Sequence, residues 1–335
     1  MDNGQCRAGL APAAPVRVWS FGTMDIAIRR PRADEIPALR HIWETAFGSG
    51  DIDAFFCHYF DSAYCAAASY GGVLAASGYL LPAGDLVCGG IAVPCAMIYA
   101  VAALPEFRNR GFGAAVVSDL IAAGRCSGYP AIVLCPSEDS LFGYYSARSD
   151  FRDWFYIAER RLDAPPCRAV EAELITITAD EYAQLRADML KDIAHIDPDA
   201  LALSYQIRLC GENGGGLFRI VHNGGVSCAA IERDNTGTVW IRELLSPAGC
   251  GNEAFPAIAK AFPAQEYIVR TPAQNTEFSG HVKPDEQTAI RRFGMLSIPP
   301  DIIGSMARYS PVESNTRFQA EISDRFLPWF GFAFD

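Results

Sequence analysis

Between Leu104 and Ala114 the chain reads Leu-Pro-Glu-Phe-Arg-Asn-Arg-Gly-Phe-Gly-Ala, the stretch whose residue types bear most directly on chemistry. Arg108 and Arg110 are fixed cations with planar forks of donors. Gly111 and Gly113 beside them let a ligand approach the backbone closely. The run from Met97 to Ala103 ahead of Pro105 is apolar and partly β-branched, while Val117, Leu120 and Ile121 beyond the glycines follow helical spacing. The pattern is strand, tight turn, helix. The first N–H groups of a helix have no internal partner and sit at the positive end of its dipole. An anion, a diphosphate above all, is therefore the expected guest.

Other chemistries find less support. A dinucleotide fingerprint needs a third glycine where this chain has Val116, and no Gly-Lys-Ser/Thr phosphate loop occurs. His195 and His281 stand alone without ligand spacing and read as surface or loop histidines, so no metal site is expected. No Ser-His-Asp or Cys-His arrangement follows from spacing alone. The 11 cysteines are scattered singly, with no Cys-x-x-Cys pair, and read as small buried hydrophobes in a reducing compartment.

A net charge of −11 disfavours nucleic acid as a partner and favours a cationic one. At 335 residues the chain has room for two domains, and 50% hydrophobic with 20% charged residues is ordinary for a soluble globular protein. No apolar run is long enough to cross a bilayer, and the N-terminus lacks the basic start and apolar centre of a secretory signal. A cytoplasmic protein without membrane contact is expected. Residues 1–23, rich in Ala, Pro and Gly, read as a flexible extension or a start site assigned too early.

The elements that must position the turn lie around it. Ile26 and Ile28 alternate in a first strand. Asp34 to Phe47 places Ile36, Leu39, Ile42, Trp43 and Phe47 on one helical face. A second helix, Asp51 to Phe60, carries Phe55, Phe56, Tyr59 and Phe60, which read first as core and second as a substrate pocket. Strands over Tyr64 to Tyr70 and Val73 to Leu81 meet at Gly71-Gly72. Beyond the turn the helix ends near Gly124, and Ala131 to Pro136 is a short apolar run, the mark of a buried parallel strand reached by a right-handed crossover. Ser137-Glu138-Asp139 are placed to cap the helix bearing Tyr144 and Tyr145, and Phe151 to Arg161 returns as a strand. The second half offers a helix over 180–193, a meander over 217–222, 226–233 and 238–245, an apolar helix after Gly251 and a strand at 267–269. That order repeats the first half without its arginines, as a degenerate duplication would. Trp329 to Asp335 alternates aromatics like a strand that inserts.

Arg108-x-x-Gly111-x-Gly113 after a strand, then a helix, a second buried strand and Tyr144-Tyr145 ahead of Phe151, resembles the GNAT superfamily of acyl-CoA-dependent N-acetyltransferases over residues 24–160. With its degraded second copy, the whole chain resembles the tandem-GNAT proteins related to the enhanced-intracellular-survival aminoglycoside acetyltransferases. The resemblance implies an α/β mixed-sheet fold, with a GNAT domain at 24–162, a linker at 163–170 and a degenerate GNAT-like domain at 171–335. It implies acetyl-CoA as donor, its pyrophosphate on the backbone of Arg108, Asn109, Arg110, Gly111, Phe112, Gly113 and Ala114. Its pantetheine arm would run along Val101, Ala102 and Ala103, with Ser137 near its path. Tyr145 matches the tyrosine that protonates the departing thiolate, with Tyr144 the neighbouring candidate, and Asp335 would supply the terminal carboxylate that takes the amine proton. Glu138 and Asp139 are fallback acidic groups. Relatives place a Gly-Phe pair soon after the tyrosine, whereas this chain has Asp150 in the glycine's place and one residue more, so the backbone there must differ. The implied reaction is direct acetyl transfer to a primary amine of a small, cationic acceptor. A non-catalytic acyl-CoA sensor and an aminoacyl-tRNA-dependent transferase are the alternatives, and a homo-oligomer is left open.

Overall fold

Residues 16–21, 24–165, 171–274, 289–305 and 327–334 are the described part of the computed structural model. They form two units, one of the described residues up to 82 together with 96–132, and one of residues 83–95 together with the described residues from 133 onward. The division falls elsewhere than the expected linker, of which residues 166–170 lie outside the described part.

The first unit contains β1 (Arg17–Phe21), β2 (Met24–Arg29), α1 (Ile36–Phe47), α2 (Ile52–His58), β3 (Tyr64–Tyr70), most of β4 (Val73–Cys88) and β5 (Ile91–Ala103), α3 (Phe112–Cys126) and the start of β6 (Ala131–Leu134). Its strands lie in the order β1-β2-β3-β4-β5. The apolar faces expected from helical and strand spacing are buried: Ile28, Leu39, Phe55, Tyr59, Leu81, Val116 and Leu120 are fully so. Each such side chain contributes roughly 1.5–3 kcal/mol. Residues 17–21, expected within the flexible extension, are instead a strand paired antiparallel with β2. Arg17 lies 3.4 Å from the carboxylate of Asp119, a buried residue of α3 that also accepts a 2.8 Å hydrogen bond from Tyr64. A partner 102 residues away leaves no local signal in the leader.

The second unit continues with α4 (Asp139–Arg148), β7 (Arg152–Asp163), β8 (Ala172–Thr176), α5 (Ala179–Leu190), β9 (His195–Asp197), α6 (Ala200–Glu212), β10 (Gly216–His222), β11 (Gly225–Arg233), β12 (Val239–Leu245), α7 (Gly251–Ala261), β13 (Glu266–Thr271), β14 (Ala289–Ser297) and α8 (Pro300–Ser305). Strands lie in the order β14-β7-β13-β12-β11-β10-β8, with β12 and β13 parallel and the other pairs antiparallel. One strand, two helices, three strands, a helix and a strand follow each other in β2 through β6, and again in β8 through β13 with the short β9 inserted between the two helices. The fold is mixed α/β, and its second half carries the element order of the first. Among the described residues no helix is long and apolar enough to cross a membrane.

The aromatic C-terminal run is not a strand. Residues 327–334 are buried but make a single bridge, between Trp329 and His195, because Gly331 (φ 78°) and Phe334 (φ 58°) break the extended alternation. A buried carboxylate pins this run. Glu243 accepts hydrogen bonds from Tyr182 (2.8 Å), Arg186 Nε (2.9 Å) and Trp329 Nε1 (2.5 Å). A Cβ on Gly331 would stand 2.6 Å from Arg186 Nη2 and 2.7 Å from Glu243 Oε2, so no larger residue fits there. Arg186 also donates to the Ile196 carbonyl at 2.7 Å, tying β9 into the same cluster.

His195, expected at the surface or in a loop, lies in β9 and is 3% exposed, and His281 lies outside the described residues. Burial, reinforced by the Arg186 charge, pushes the His195 imidazole down to about 4, while its Nδ1 lies 2.7 Å from the Ile193 carbonyl. The unfolded chain binds a proton near the ordinary value of about 6.5 that the folded chain refuses. Stability at this site is full above about 6.5, and on the order of 3 kcal/mol is lost as pH falls to about 4. Urea titrations across this window should give a steeper acid loss for the wild type than for His195→Gln. Equal slopes would contradict the assignment.

Candidate functional site

Strand β5 is buried from Cys95 to Ile98, Ala100 is left-handed with a φ of 47°, and the residues from Tyr99 to Val101 are only half-buried. A non-glycine residue in this region costs of order 1 kcal/mol and interrupts the strand's hydrogen-bond alternation. Val101, Ala102 and Ala103 follow directly, and Leu104 N–H then donates to the Ala75 carbonyl at 3.0 Å. Pro105 to Phe107 make one tight helical turn, Asn109 is left-handed (φ 59°), and Gly111 (φ 88°) is the N-cap of α3. Glycine enters this conformation without a Cβ penalty.

No side chain caps α3, and the first bond inside the helix runs from Ala115 N–H to the Gly111 carbonyl at 2.9 Å. The N–H groups of Phe112, Gly113 and Ala114 therefore precede the helix's own ladder. Both arginines are held beside them. Arg108 Nε donates to the Ala103 carbonyl at 3.2 Å, and the Arg110 guanidinium lies 4.9 Å from the Tyr70 ring centroid and within 5.8 Å of those of Phe107 and Phe112. Uncapped donors, left-handed backbone and two cations in seven residues fit a diphosphate.

The approach of α3 to the strands depends on Gly78 in β4. A Cβ there would meet Val116 Cγ1 at 2.8 Å and Val101 Cγ2 at 3.0 Å. Neither Gly78 nor Ala100 figures in the sequence reading. An isolated glycine inside a strand pattern is a signal of close packing that could have found the first. No residue type marks the second.

In the second unit, Ser137 is exposed just after β6, and Glu138 is the N-cap of α4 without making a side-chain cap bond. Capping by Ser137, Glu138 and Asp139 is thus not what starts this helix. Asp139 is exposed and lies 3.6 Å from Arg292. Tyr145, on α4, is half-buried, with its ring 5.3 Å from Tyr144 and 6.2 Å from Phe151. Burial, then the neighbouring Tyr144, pushes its phenol up to about 12, so it holds its proton at neutral pH. Tyr144 is also raised by burial, against the opposing charge of Arg148 over its ring. α4 ends on Ser149 in extended conformation (φ −154°), and Asp150 accepts a 2.7 Å hydrogen bond from Ser297 of β14. Asp335 lies outside the described residues.

The aromatic helix divides by face. Phe55 and Tyr59 are fully buried, as core residues should be. Phe56 and Phe60 are half-buried and stacked at 4.8 Å, and the Arg40 guanidinium already lies 5.1 Å from the Phe56 centroid. Nine described cysteines form no disulfide bond, and no described group of His, Cys, Asp and Glu could hold a metal.

Strand, uncapped turn with a left-handed glycine, helix and further strand follow one another here. Residues 27–148 match the family model described as "Acetyltransferase (GNAT) domain", and this part of the chain is a GNAT-type acetyltransferase domain. Comparison with curated proteins gives no match. Among solved structures, a GCN5-related N-acetyltransferase from Anabaena variabilis is 16% identical with a TM-score of 0.61, covering 82% of this chain and 72% of that one. A conserved protein from Enterococcus faecalis described as a probable N-acyltransferase is 15% identical with a TM-score of 0.59, over 82% and 72%. Eis1 from Mycobacterium abscessus is 15% identical with a TM-score of 0.51, over 82% and 73%. These likenesses are of fold, and at 82% of the chain they extend well beyond residues 27–148.

Ala100 yields a test of the local geometry. Glycine normally weakens a strand by roughly 0.5–1 kcal/mol. Ala100→Gly should instead be neutral or stabilising by up to about 1 kcal/mol, because it relieves the left-handed φ. Chemical denaturation measures this, and a loss of ordinary size would show that the residue is not held left-handed.

Proposed function

We propose that the protein moves an acetyl group from acetyl-CoA to a primary amine of a small cationic acceptor by direct transfer. The uncapped start of α3, flanked by Arg108 and Arg110, is the observation that carries this reading. Backbone N–H groups from Gly111 to Ala114 hold the pyrophosphate, with Asn109, Arg110 and Phe112 shaping the turn around them. Val101, Ala102 and Ala103 bind the pantetheine arm, and one of their N–H groups donates to the thioester carbonyl as negative charge develops on its oxygen. Ser137 lies on the arm's path. The bound donor supplies the activated acyl group.

An ammonium group cannot attack, so the acceptor must first lose a proton. Its nitrogen then bonds to the carbonyl carbon, the carbon–sulfur bond breaks, and Tyr145 protonates the departing thiolate. A phenol held near 12 by burial stays a donor across the physiological range and recovers its proton from solvent. Asp335 is our candidate for the group that accepts the amine proton. A cationic acceptor suits the net charge of −11 and the half-buried faces of Phe56 and Phe60.

Free-thiol release from acetyl-CoA should exceed the buffer rate for at least one amine in a panel of polyamines and aminocyclitol glycosides. Tyr145→Phe should lower kcat by about 10²-fold with little change in the KM for acetyl-CoA. Arg108→Ala should instead weaken acetyl-CoA binding by roughly tenfold or more, as loss of a charge-assisted contact does. CoA binding without thiol release from any amine would overturn the enzyme reading in favour of a sensor.

A further inference from the structure

Four side chains at the β10–β11 turn and the start of α7 form one hydrogen-bonded chain that acetyl transfer does not use. Glu253 Oε2, on α7, lies 3.1 Å from His222 Nδ1 and also accepts from Gly224 N–H at 2.6 Å. His222 Nε2 lies 2.8 Å from Ser227 Oγ, and Ser227 Oγ donates to Ser246 Oγ at 2.8 Å. His222 and Ser227 are buried, whereas Ser246 is half-buried and Glu253 half-exposed. The strand register fixes the pair: His222 opposes Gly225 and Ile220 opposes Ser227 across the hairpin, so the two side chains share one face as diagonal neighbours. The residues span 222 to 253 and fall wholly within the second unit.

Nucleophile, base and orienting carboxylate within hydrogen-bond reach of one another are the diagnostic arrangement for nucleophilic catalysis. Here the carboxylate orients the imidazole, the imidazole reaches a buried hydroxyl, and that hydroxyl reaches the half-buried one. Hydroxyl protons rotate to suit their partners. In the structure Ser227 donates to Ser246; rotation of the two hydroxyl protons reverses that polarity, so that Ser246 donates to Ser227 and Ser227 to His222 Nε2, and this reversed chain creates a nucleophile at its half-buried end. α7 opens at Gly251 without a side-chain cap, five residues beyond Ser246.

We propose that Ser246 is an acyl-accepting nucleophile, activated through Ser227 by the His222–Glu253 pair, and that its substrates are short-chain carboxylic esters. Ser246 Oγ bonds to the ester carbonyl carbon and the bond to the leaving oxygen breaks. The serine proton passes through Ser227 to His222 Nε2, which returns it to the departing alkoxide. Water then attacks the acyl-serine, giving its proton to His222 by the same route. The carboxylic acid leaves, and Ser246 regains its hydrogen. Carboxylate and imidazole end as they began.

The test uses the full chain with p-nitrophenyl acetate. A burst of nitrophenolate matching the protein concentration, followed by slower turnover, is expected. Peptide mass mapping should find one acetyl group on Ser246. Ser246→Ala should abolish the burst and leave acetyl-CoA-dependent thiol release unchanged. His222→Gln should slow the burst by about 10²-fold, the contribution of a positioned base. Should that variant fold poorly, Glu253→Gln, on the half-exposed carboxylate, should slow it by about tenfold. No burst, a burst that survives Ser246→Ala, or acetyl found on the nearby Cys250 would overturn the proposal and leave the chain as a structural staple of the hairpin. Thiol release is measured separately, so either reading can fail without the other.

Discussion

The backbone of the first unit is organised around helix α3 starting with its leading N–H groups unspent. A helix end normally finds a capping side chain, worth about 1 kcal/mol, and this one begins on a left-handed glycine instead. The surrounding residues hold that end in place without satisfying it. Gly78 lets the helix lie close on β4, Asp119 ties its middle to Tyr64 and Arg17, and Arg108 folds back on the last carbonyl of β5. Charge-assisted hydrogen bonds to such donors contribute about 1.5–3 kcal/mol each. A diphosphate is the ligand whose charge and spread of oxygens match several of them at once.

The second unit shows the same element order put to a different use. Its helix α7 also follows a glycine-bearing turn, but no arginine precedes it. Burying the Glu243 carboxylate alone would cost several kcal/mol, and three donors around it turn that cost into a cluster that holds Trp329 and Gly331 in one arrangement. Near the start of α7, a histidine, a glutamate and two serines form a hydrogen-bonded chain instead.

Most of the first half was legible because its signals are local. Apolar periodicity placed α1, α3 and β6, paired glycines placed the β3–β4 turn, and Arg108-x-x-Gly111-x-Gly113 marked the turn into α3. What escaped depended on partners far along the chain. β1 needs Asp119, His195 is buried by the Arg186 cluster, and Ser227 meets His222 only through strand register. α6 was passed over although Asp199 caps it with a 2.8 Å bond to Ala202 N–H. The left-handed φ of Ala100 has no counterpart in residue type, and the aromatic alternation at the C-terminus gave no sign of how Gly331 would bend it.

A crystal structure of the protein with CoA bound tests the central claim most directly. The account predicts pyrophosphate density against the N–H groups of Gly111 to Ala114, within hydrogen-bonding distance of at least three of them. Ordered pyrophosphate anywhere else, with the start of α3 left to solvent, would contradict it.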